Sequence, residues 1–392
     1  MARIKPRNVL FTFVLLIFSL LIVVYAFSRP LGDFVEYWAA AHLLLTKQNP
    51  YSISQIFEIE KRLGWQHHLP LIALNPPWAL PLLAPLGLTR SYPFAWLVWL
   101  SLQGAIVALS SRMLMDNYFG DVRIKEVSDT TVYRCLFAFT FFPTLLCLQF
   151  GQIAPLVLLG TAGLIYFEDR GHATKAGLLF GLTAVKPQLV FLLWIALALW
   201  SFQRRRWRVL VSALAVIASL SFVVLLLDRQ VFRQYWELMS GPYPRLYAGG
   251  MVAVFRKALG GSTFWLQFMP LAAGLAWFVP YWRKHSGNWS WSERAPALIT
   301  VSLLTSAWGF LFDQVLLAVP IIYLAARSAR RFGRISMTLL VPYTILNAVL
   351  IVMVTASSFW AFVPGPVIAA YVLWWERRQE PAKSAVAALP TG

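Results

Sequence analysis

The sequence predicts an all-α protein, a polytopic bundle of transmembrane helices, and three observations lead to that fold class. Of its 392 residues, 59% are hydrophobic and only 13% are charged, whereas soluble chains carry about 25% charged residues. The apolar residues are gathered into long runs, many of them near the roughly 20 residues that cross a bilayer. The 34 Lys and Arg residues stand in short clusters between these runs. This composition excludes an ordinary soluble enzyme and a disordered or fibrous chain.

The apolar runs predict about 10–12 transmembrane helices. The candidate segments, in chain order, are residues 9–28, 91–111, 135–150, 153–167, 174–186, 189–202, 208–227, 263–282, 295–310, 314–326, 335–356 and 359–375. The first run follows a charged start, as in a signal peptide, but it is longer than a signal core and no small-residue cleavage site follows it. We therefore interpret it as a retained span. Residues 1–375 are expected to form one transmembrane domain, and the Ala-rich residues 376–392 a disordered cytoplasmic tail.

The basic residues orient the predicted bundle, because Lys and Arg remain on the cytoplasmic side of a membrane. With the N-terminus inside, about two thirds of the Lys and Arg residues fall in cytoplasmic loops. Both termini are then cytoplasmic, and the protein is expected in the plasma (inner) membrane. The net charge of +18 is spread over loops instead of one soluble face, so no nucleic-acid partner is expected.

Two long outer loops remain, residues 29–90 and 228–262, and both contain amphipathic stretches rich in Trp and Tyr. Such helices commonly lie in the membrane interface, in contact with membrane lipid. In the second loop, Arg245 stands among tyrosines. A guanidinium group matches a phosphate, although interface anchoring alone also explains this loop.

The first outer loop begins with two acids, Asp33 and Glu36, which share a helix face with Tyr37 at helical spacing. A carboxylate at a cavity mouth can take a proton from a hydroxyl group that attacks an electrophile. The same residues form a good helix N-cap, with Glu36 at the capping-box position. A capping role and a catalytic role therefore both stay open for Asp33.

Lys186 ends a short apolar run just before Pro187, and broken helices at membrane depth usually border a water-filled cavity. A cation there is a functional candidate with an anionic phosphate as its partner. A lysine that snorkels to the surface beside a helix C-terminus explains the residue equally well. Gln188 would add a neutral hydrogen bond.

Gln152 and Asp313 fall at the outer ends of predicted spans, on the same side as Asp33, so we expect the three to converge. Each also has a structural interpretation, Gln152 as a polar helix-end residue and Asp313 as an N-cap. No spaced metal ligands occur, and no motif for nucleotide binding, dinucleotide binding or serine hydrolysis occurs. We therefore expect no metal and no cofactor.

Five segments occur in order between about residues 32 and 320: GDFVEYWAAAHLLLTKQNPYS, NPPWALPLLAPLGL, FGQIAPLVLLG, RGHATKAGLLFGLTAVKPQL and TSAWGFLFDQVLLAVP. Together they resemble glycosyltransferase family 87. That family belongs to the GT-C superfamily of polytopic transferases and includes polyprenyl-phosphate-mannose-dependent α-mannosyltransferases. The resemblance implies a GT-C type bundle and hexosyltransferase activity.

The resemblance implies transfer of a hexose, expected to be mannose, from a polyprenyl-phosphate donor to a lipid- or glycan-linked acceptor hydroxyl on the outer side. It makes Asp33 the general base of a single inverting displacement. It puts four residues near the donor phosphate or sugar: Lys186, Gln188, Asp313 and Gln314. The other candidate substrate-binding residues are Glu36, Tyr37, Gln152 and Arg245.

A multi-span transporter or lipid flippase is the alternative, because many spans with broken helices and buried polar groups also describe secondary carriers. A carrier needs polar groups toward both membrane faces, whereas here they collect toward the outer side. A non-catalytic polyprenyl-binding partner is a further alternative, and it predicts that a change at Asp33 is tolerated.

Overall fold

The structure is a computed structural model that describes residues 31–120, 139–246, 249–259, 264–332, 337–356 and 359–378. Within these ranges every regular element is helical, so the predicted all-α fold class is confirmed. The predicted first span, residues 9–28, lies outside the described residues, as do residues 379–392 of the predicted tail.

The α-helices of the first half are α1 (Phe34–Leu45), α2 (Ile53–Arg62), α3 (Leu80–Gly87), α4 (Tyr92–Tyr118), α5 (Phe142–Phe150), α6 (Ala154–Glu168), α7 (Ala173–Gly181) and α8 (Phe191–Arg204). Those of the second half are α9 (Trp207–Leu227), α10 (Val231–Ser240), α11 (Tyr243–Leu246), α12 (Gly250–Ala258), α13 (Met269–His285), α14 (Trp291–Thr305), α15 (Ala318–Phe332), α16 (Met337–Thr355) and α17 (Pro364–Arg378). Short 3₁₀ helices cover Pro77–Ala79, Leu182–Val185, Pro187–Val190, Phe264–Phe268, Ser286–Asn288, Leu311–Leu317 and Phe359–Phe362.

Three of the described helices are long and apolar enough to cross a membrane, namely α4, α9 and the continuous segment 311–332. Other apolar helices are shorter, with 10 to 17 residues, and among them are α1 and α6. A helix of 20 residues is about 30 Å long, close to the thickness of the hydrocarbon core. The chain is therefore a polytopic helical membrane protein, as its composition predicts.

Helix α6 forms the centre of the bundle, and all its residues from 154 to 165 are buried. Two glycines on this helix allow α7 to approach closely. A Cβ atom at Gly160 would lie 2.7 Å from the carbonyl oxygen of Leu179, and one at Gly163 would lie 2.6 Å from the Leu179 Cβ. Small residues at such crossings let helices pack backbone to backbone inside a membrane.

Helix α9 lies at the periphery of the bundle. Only 17% of its most apolar window is buried, and large apolar side chains such as Phe222 and Leu226 are exposed. Its inner face packs on α7, where a Cβ at Gly177 would lie 2.2 Å from the Val209 carbonyl oxygen. The exposed face of α9 is thus suited to contact with lipid.

The bundle has two ends that differ in character. Gln152 precedes α6 and Asp169 follows it, so these residues are separated by the 15 residues of the helix, a distance of about 22 Å. We call the end that contains Gln152, Lys186 and residues 306–313 the site end. The end that contains residues 168–172, 204–206 and 286–291 is called the basic end.

Candidate active site

Four side chains that are distant in the sequence meet at the site end: Asp33, Gln152, Lys186 and Asp313. Lys186 Nζ donates a hydrogen bond to Gln152 Oε1 at 2.7 Å and another to Asp313 Oδ1 at 2.9 Å. Gln152 Nε2 donates to Asp33 Oδ2. A continuous chain of hydrogen bonds therefore joins the two carboxylates through the amide and the ammonium group.

The orientation of the Gln152 amide follows from its neighbours. The Tyr37 hydroxyl donates to Gln152 Oε1 at 2.9 Å, and Lys186 donates to the same oxygen. A side-chain amide has one accepting oxygen and one donating nitrogen. Because two donors occupy the oxygen, the nitrogen must face Asp33. Gln152 is thus positioned to hold the Asp33 carboxylate.

The turn that presents Gln152 depends on a glycine. Helix α5 ends at Phe150, and Gly151 adopts the left-handed conformation with φ of 67°, which glycine adopts readily. A Cβ at this position would lie 2.6 Å from the Phe34 Cβ. The Gln152 N–H then donates to the Cys147 carbonyl at 3.0 Å and closes the turn.

Helix α4 holds the same turn from its other side. Trp99 Nε1 donates to the Gly151 carbonyl at 2.7 Å, and Gln103 Nε2 donates to the Gln152 carbonyl. Both side chains are buried. Neither residue was predicted from the sequence, although a Gln inside an apolar run and a Trp four residues earlier on the same helix face were visible signals.

Lys186 lies at a break between two 3₁₀ helices, Leu182–Val185 and Pro187–Val190. Its backbone, with φ of −143° and ψ of 67°, is not helical. Proline at the next position removes a backbone donor and disfavours a helical conformation for the residue before it. The break directs Lys186 out of the helix line and leaves the preceding carbonyl groups without their usual helical partners.

Those carbonyl groups accept from the first outer loop. Asn75 Nδ2 donates to the Val185 carbonyl at 3.0 Å, and Trp78 Nε1 donates to the Ala184 carbonyl at 2.8 Å. Asn75 is itself held through its own carbonyl, which accepts from the Tyr51 hydroxyl at 2.9 Å. The NPPW stretch therefore stabilises the break that presents Lys186, a role that was not predicted from the sequence.

Lys186 and Asp313 form a buried ion pair, since their side chains are only 10% and 1% exposed. The second oxygen of Asp313 accepts the Phe310 N–H at 2.9 Å and caps the 3₁₀ helix Leu311–Leu317. The ammonium group also lies 5.1 Å from the centre of the Phe312 ring. Both oxygens of Asp313 are thus occupied, one by its ion-pair partner and one by the backbone.

Asp33 has a different environment from Asp313. It lies at the N-cap of α1, yet its carboxylate makes no capping hydrogen bond. Helix capping therefore does not account for the direction of its side chain. It is half-buried, and no hydrogen bond to its Oδ1 occurs in the part of the chain described. In this predicted outer loop, burial raises the pKa of Asp33 to about 6, and the charge of Lys186 opposes that rise. Glu36, one turn along α1, is also buried.

Three other candidates lie outside the hydrogen-bonded cluster. Gln188 is half-buried beside the break at Lys186. Gln314 is buried but turns toward the last helices, where its Nε2 donates to the Phe362 carbonyl at 2.6 Å. Arg245 is exposed, with its guanidinium group 5.4 Å from the centre of the Phe264 ring.

A cavity of about 740 Å³ lies at the basic end and not at the cluster. Over the described ranges, no group of three or more His, Cys, Asp or Glu residues is arranged to hold a metal ion. Within the described residues, the cluster offers an ammonium group, a fixed amide and, on Asp33, one carboxylate oxygen that accepts no hydrogen bond. Such a set can bind an oxyanion and accept a proton nearby.

Comparison with known protein families identifies a match that covers much of the chain. The model of a family described as glycosyltransferase family 87 matches residues 73–312, more than half of the chain. The matched region contains Gln152 and Lys186; it begins after Asp33 and ends one residue before Asp313. No curated protein and no solved structure matches the chain.

Proposed function

Because the chain belongs to glycosyltransferase family 87, it is a membrane glycosyltransferase, and we propose that it transfers mannose from a polyprenyl-phosphate donor. The acceptor is a hydroxyl group of a lipid- or glycan-linked molecule on the extracytoplasmic side of the plasma membrane. Family membership favours this function over a transporter or flippase.

The observation that carries the mechanism is the contrast between the two carboxylates. Asp313 uses both oxygens within the protein, whereas Asp33 is held through one oxygen by Gln152. In the described part of the chain no group donates to the other oxygen of Asp33, which is the oxygen that accepts the proton. A pKa raised to about 6 by burial leaves this carboxylate ionised near neutral pH and more basic than an ordinary Asp, as a general base requires.

The reaction is a single displacement at the anomeric carbon. Asp33 removes the proton of the acceptor hydroxyl while that oxygen forms the new glycosidic bond. The bond between the anomeric carbon and the phosphate oxygen breaks, and its electron pair leaves on polyprenyl phosphate. Phosphate needs no proton to leave, so one carboxylate suffices where glycosidases use two. The configuration of the sugar is inverted.

Lys186 stabilises the departing phosphate. An ammonium group has three N–H donors, and two of them are directed to Gln152 and Asp313. The third is available for a phosphate oxygen, where a fixed positive charge stabilises the charge that develops in the transition state. The paired Asp313 keeps the ammonium group in place. Gln188, Gln314 and Arg245 stay predicted as substrate-binding residues, although they lie outside the cluster.

A panel of donors tests this function. The purified chain is reconstituted in liposomes with polyprenyl-phosphate mannose, polyprenyl-phosphate glucose or a nucleotide sugar, together with an acceptor extract, and released polyprenyl phosphate is measured. We expect release from the mannose donor. Transport of intact donor across the bilayer without release would indicate a carrier, and turnover with only the nucleotide sugar would contradict the proposed donor class.

A further inference from the structure

The cavity at the basic end contains charged and aromatic groups that the proposed reaction does not use. Its volume is about 740 Å³, and its wall includes Glu168, Asp169, Arg204, Arg206, Trp289 and Trp291. It lies at the opposite end of α6 from Gln152. A ligand in this cavity would therefore be separate from a substrate at Asp33.

The charges of the wall are balanced, with two guanidinium groups and two carboxylates. Two of the four are already engaged, since Arg204 donates to the Gly287 carbonyl and Asp169 accepts from Asn117 at 2.8 Å. Among the described residues, the side chains of Glu168 and Arg206 form no hydrogen bond, and they face the same space as an anion and a cation whose charges interact. A wall of this kind complements a ligand that carries both signs of charge, and not a simple anion.

Three buried polar atoms of the wall have no hydrogen-bond partner among the residues that the structure describes: Glu168 Oε2, Trp289 Nε1 and Trp291 Nε1. Trp291 is only 2% exposed. Buried polar atoms are nearly always paired in native proteins, and each exception calls for a partner. A ligand that pairs all three atoms offers acceptors to the two indole N–H groups and a donor to the carboxylate oxygen.

We propose that this cavity binds the headgroup of a phospholipid that carries a phosphodiester and a primary ammonium group. The phosphodiester oxygens accept from Arg206 and from the two indole N–H groups, since guanidinium and phosphate match in geometry. The ammonium group donates to Glu168 Oε2. A quaternary ammonium has no N–H and would leave that oxygen unpaired, at the full cost of a buried unsatisfied acceptor.

The surroundings favour a membrane lipid over a soluble molecule with the same headgroup. Phe202 and Trp207, which flank the segment of the two arginines, are both largely exposed and contact each other with ring centres 4.4 Å apart. Exposed aromatic residues beside basic ones are typical of the membrane interface. They offer an apolar surface for acyl chains next to a polar site for the headgroup.

Native mass spectrometry of the full chain in detergent tests the proposal, with dioleoyl phosphatidylethanolamine and dioleoyl phosphatidylcholine as probes. We expect one saturable site that binds the ethanolamine lipid about tenfold more tightly than the choline lipid, the usual range for a charge-assisted hydrogen bond. Equal affinities for the two lipids, or no saturable site, would overturn the proposal.

Variants locate the site. Glu168→Gln should abolish the preference for the ethanolamine lipid. Arg206→Gln should lower the affinity for both lipids by about tenfold. Arg283→Gln, an exposed basic residue of α13 that does not line the cavity, should leave both affinities unchanged. Unfolding temperatures establish that each variant is folded. A preference that persists in Glu168→Gln, or displacement of the lipid by glycerophosphoethanolamine at equal concentration, would contradict a phospholipid site.

Discussion

The two ends of the bundle use charge in opposite ways. At the site end, Lys186 and Asp313 are buried and each is joined to defined partners by hydrogen bonds. At the basic end, Arg204 and Arg206 are exposed around an open cavity. Exposed basic residues at helix ends contribute to the orientation of a membrane protein. Buried charges are costly unless they are paired. The buried and paired charges of the site end therefore mark it as the place where the fold holds groups for chemistry.

The same contrast holds within the site end. Asp313 is the structural carboxylate of the cluster, because the protein uses both its oxygens. Asp33, as far as the described residues show, accepts a hydrogen bond at one oxygen. Changes at the two positions should therefore differ in kind, and the following variants separate them.

The largest effect is expected from Asp33→Asn. Loss of the general base should lower kcat by about 10²- to 10⁴-fold, while the amide keeps the size of the side chain and thus the fold. The matched control is Asp228→Asn, since Asp228 also lies at the start of a predicted outer loop and its carboxylate accepts the nearby Gln230 N–H. Turnover is measured in liposomes, and near-normal kcat in Asp33→Asn would remove Asp33 from the mechanism.

Lys186→Met should have the next largest effect, on both activity and stability. Loss of the cation should lower kcat/KM for the donor by about 10²- to 10³-fold. The buried Asp313 is left unpaired, which typically costs about 3–5 kcal/mol in the free energy of unfolding.

The double variant Lys186→Met with Asp313→Asn separates the two effects. It removes the unpaired charge, so the unfolding temperature should recover while donor use stays low. Lys61→Met, at an exposed position on α2, serves as the control for loss of a lysine. A double variant that recovers activity together with stability would reduce Lys186 to a structural residue.

A smaller effect is expected from Trp78→Phe, which keeps an aromatic side chain but removes the donor to the Ala184 carbonyl together with part of the indole ring. An unpaired carbonyl costs about 1–3 kcal/mol and should loosen the break that presents Lys186. We expect a several-fold higher donor KM with a smaller change in kcat. Trp236→Phe is the control, since Trp236 is 72% exposed. If the donor KM is the same in both variants, the NPPW stretch does not position Lys186.

The smallest effect is a shift in pH dependence. Burial raises the pKa of Asp33 to about 6, so kcat/KM should fall as the pH drops through about 6 and the base becomes protonated. The charge of Lys186 lowers this pKa and that of Asp313 raises it. The acid limb should therefore move to higher pH in Lys186→Met and to lower pH in Asp313→Asn. If the acid limbs of the unmodified protein, Lys186→Met and Asp313→Asn coincide, the charges of the cluster do not act on the pKa of Asp33, which would contradict this prediction.

The fold was largely predictable, because the position and length of each apolar run can be read directly from the sequence. The predicted segment 208–227 corresponds to α9 almost residue for residue. The predicted segment 174–186 instead divides into α7 and a 3₁₀ turn. That division depends on two side chains from a distant loop. Asn75 and Trp78 donate hydrogen bonds to the carbonyl groups at the break. Such tertiary contacts leave no local pattern.

The candidate site was predictable in its location and less so in its contacts. Alternation of spans across the membrane puts Gln152 and Asp313 on the side of Asp33, and their meeting follows from topology. The partner of each side chain depends on its direction. Gln314 directly follows Asp313, but successive residues of a 3₁₀ helix point about 120° apart, and Gln314 faces Phe362 instead of the cluster.

The central claim is a single displacement in which the Asp33 carboxylate acts as general base. Its most direct test is the anomeric configuration of the product. The purified enzyme is given a polyprenyl-phosphate mannose of defined configuration, and the new linkage is determined by NMR from its one-bond carbon–hydrogen coupling. The mechanism predicts a linkage inverted relative to the donor. A retained configuration would require a second displacement and a covalent or equivalent intermediate, which would contradict the role given to Asp33.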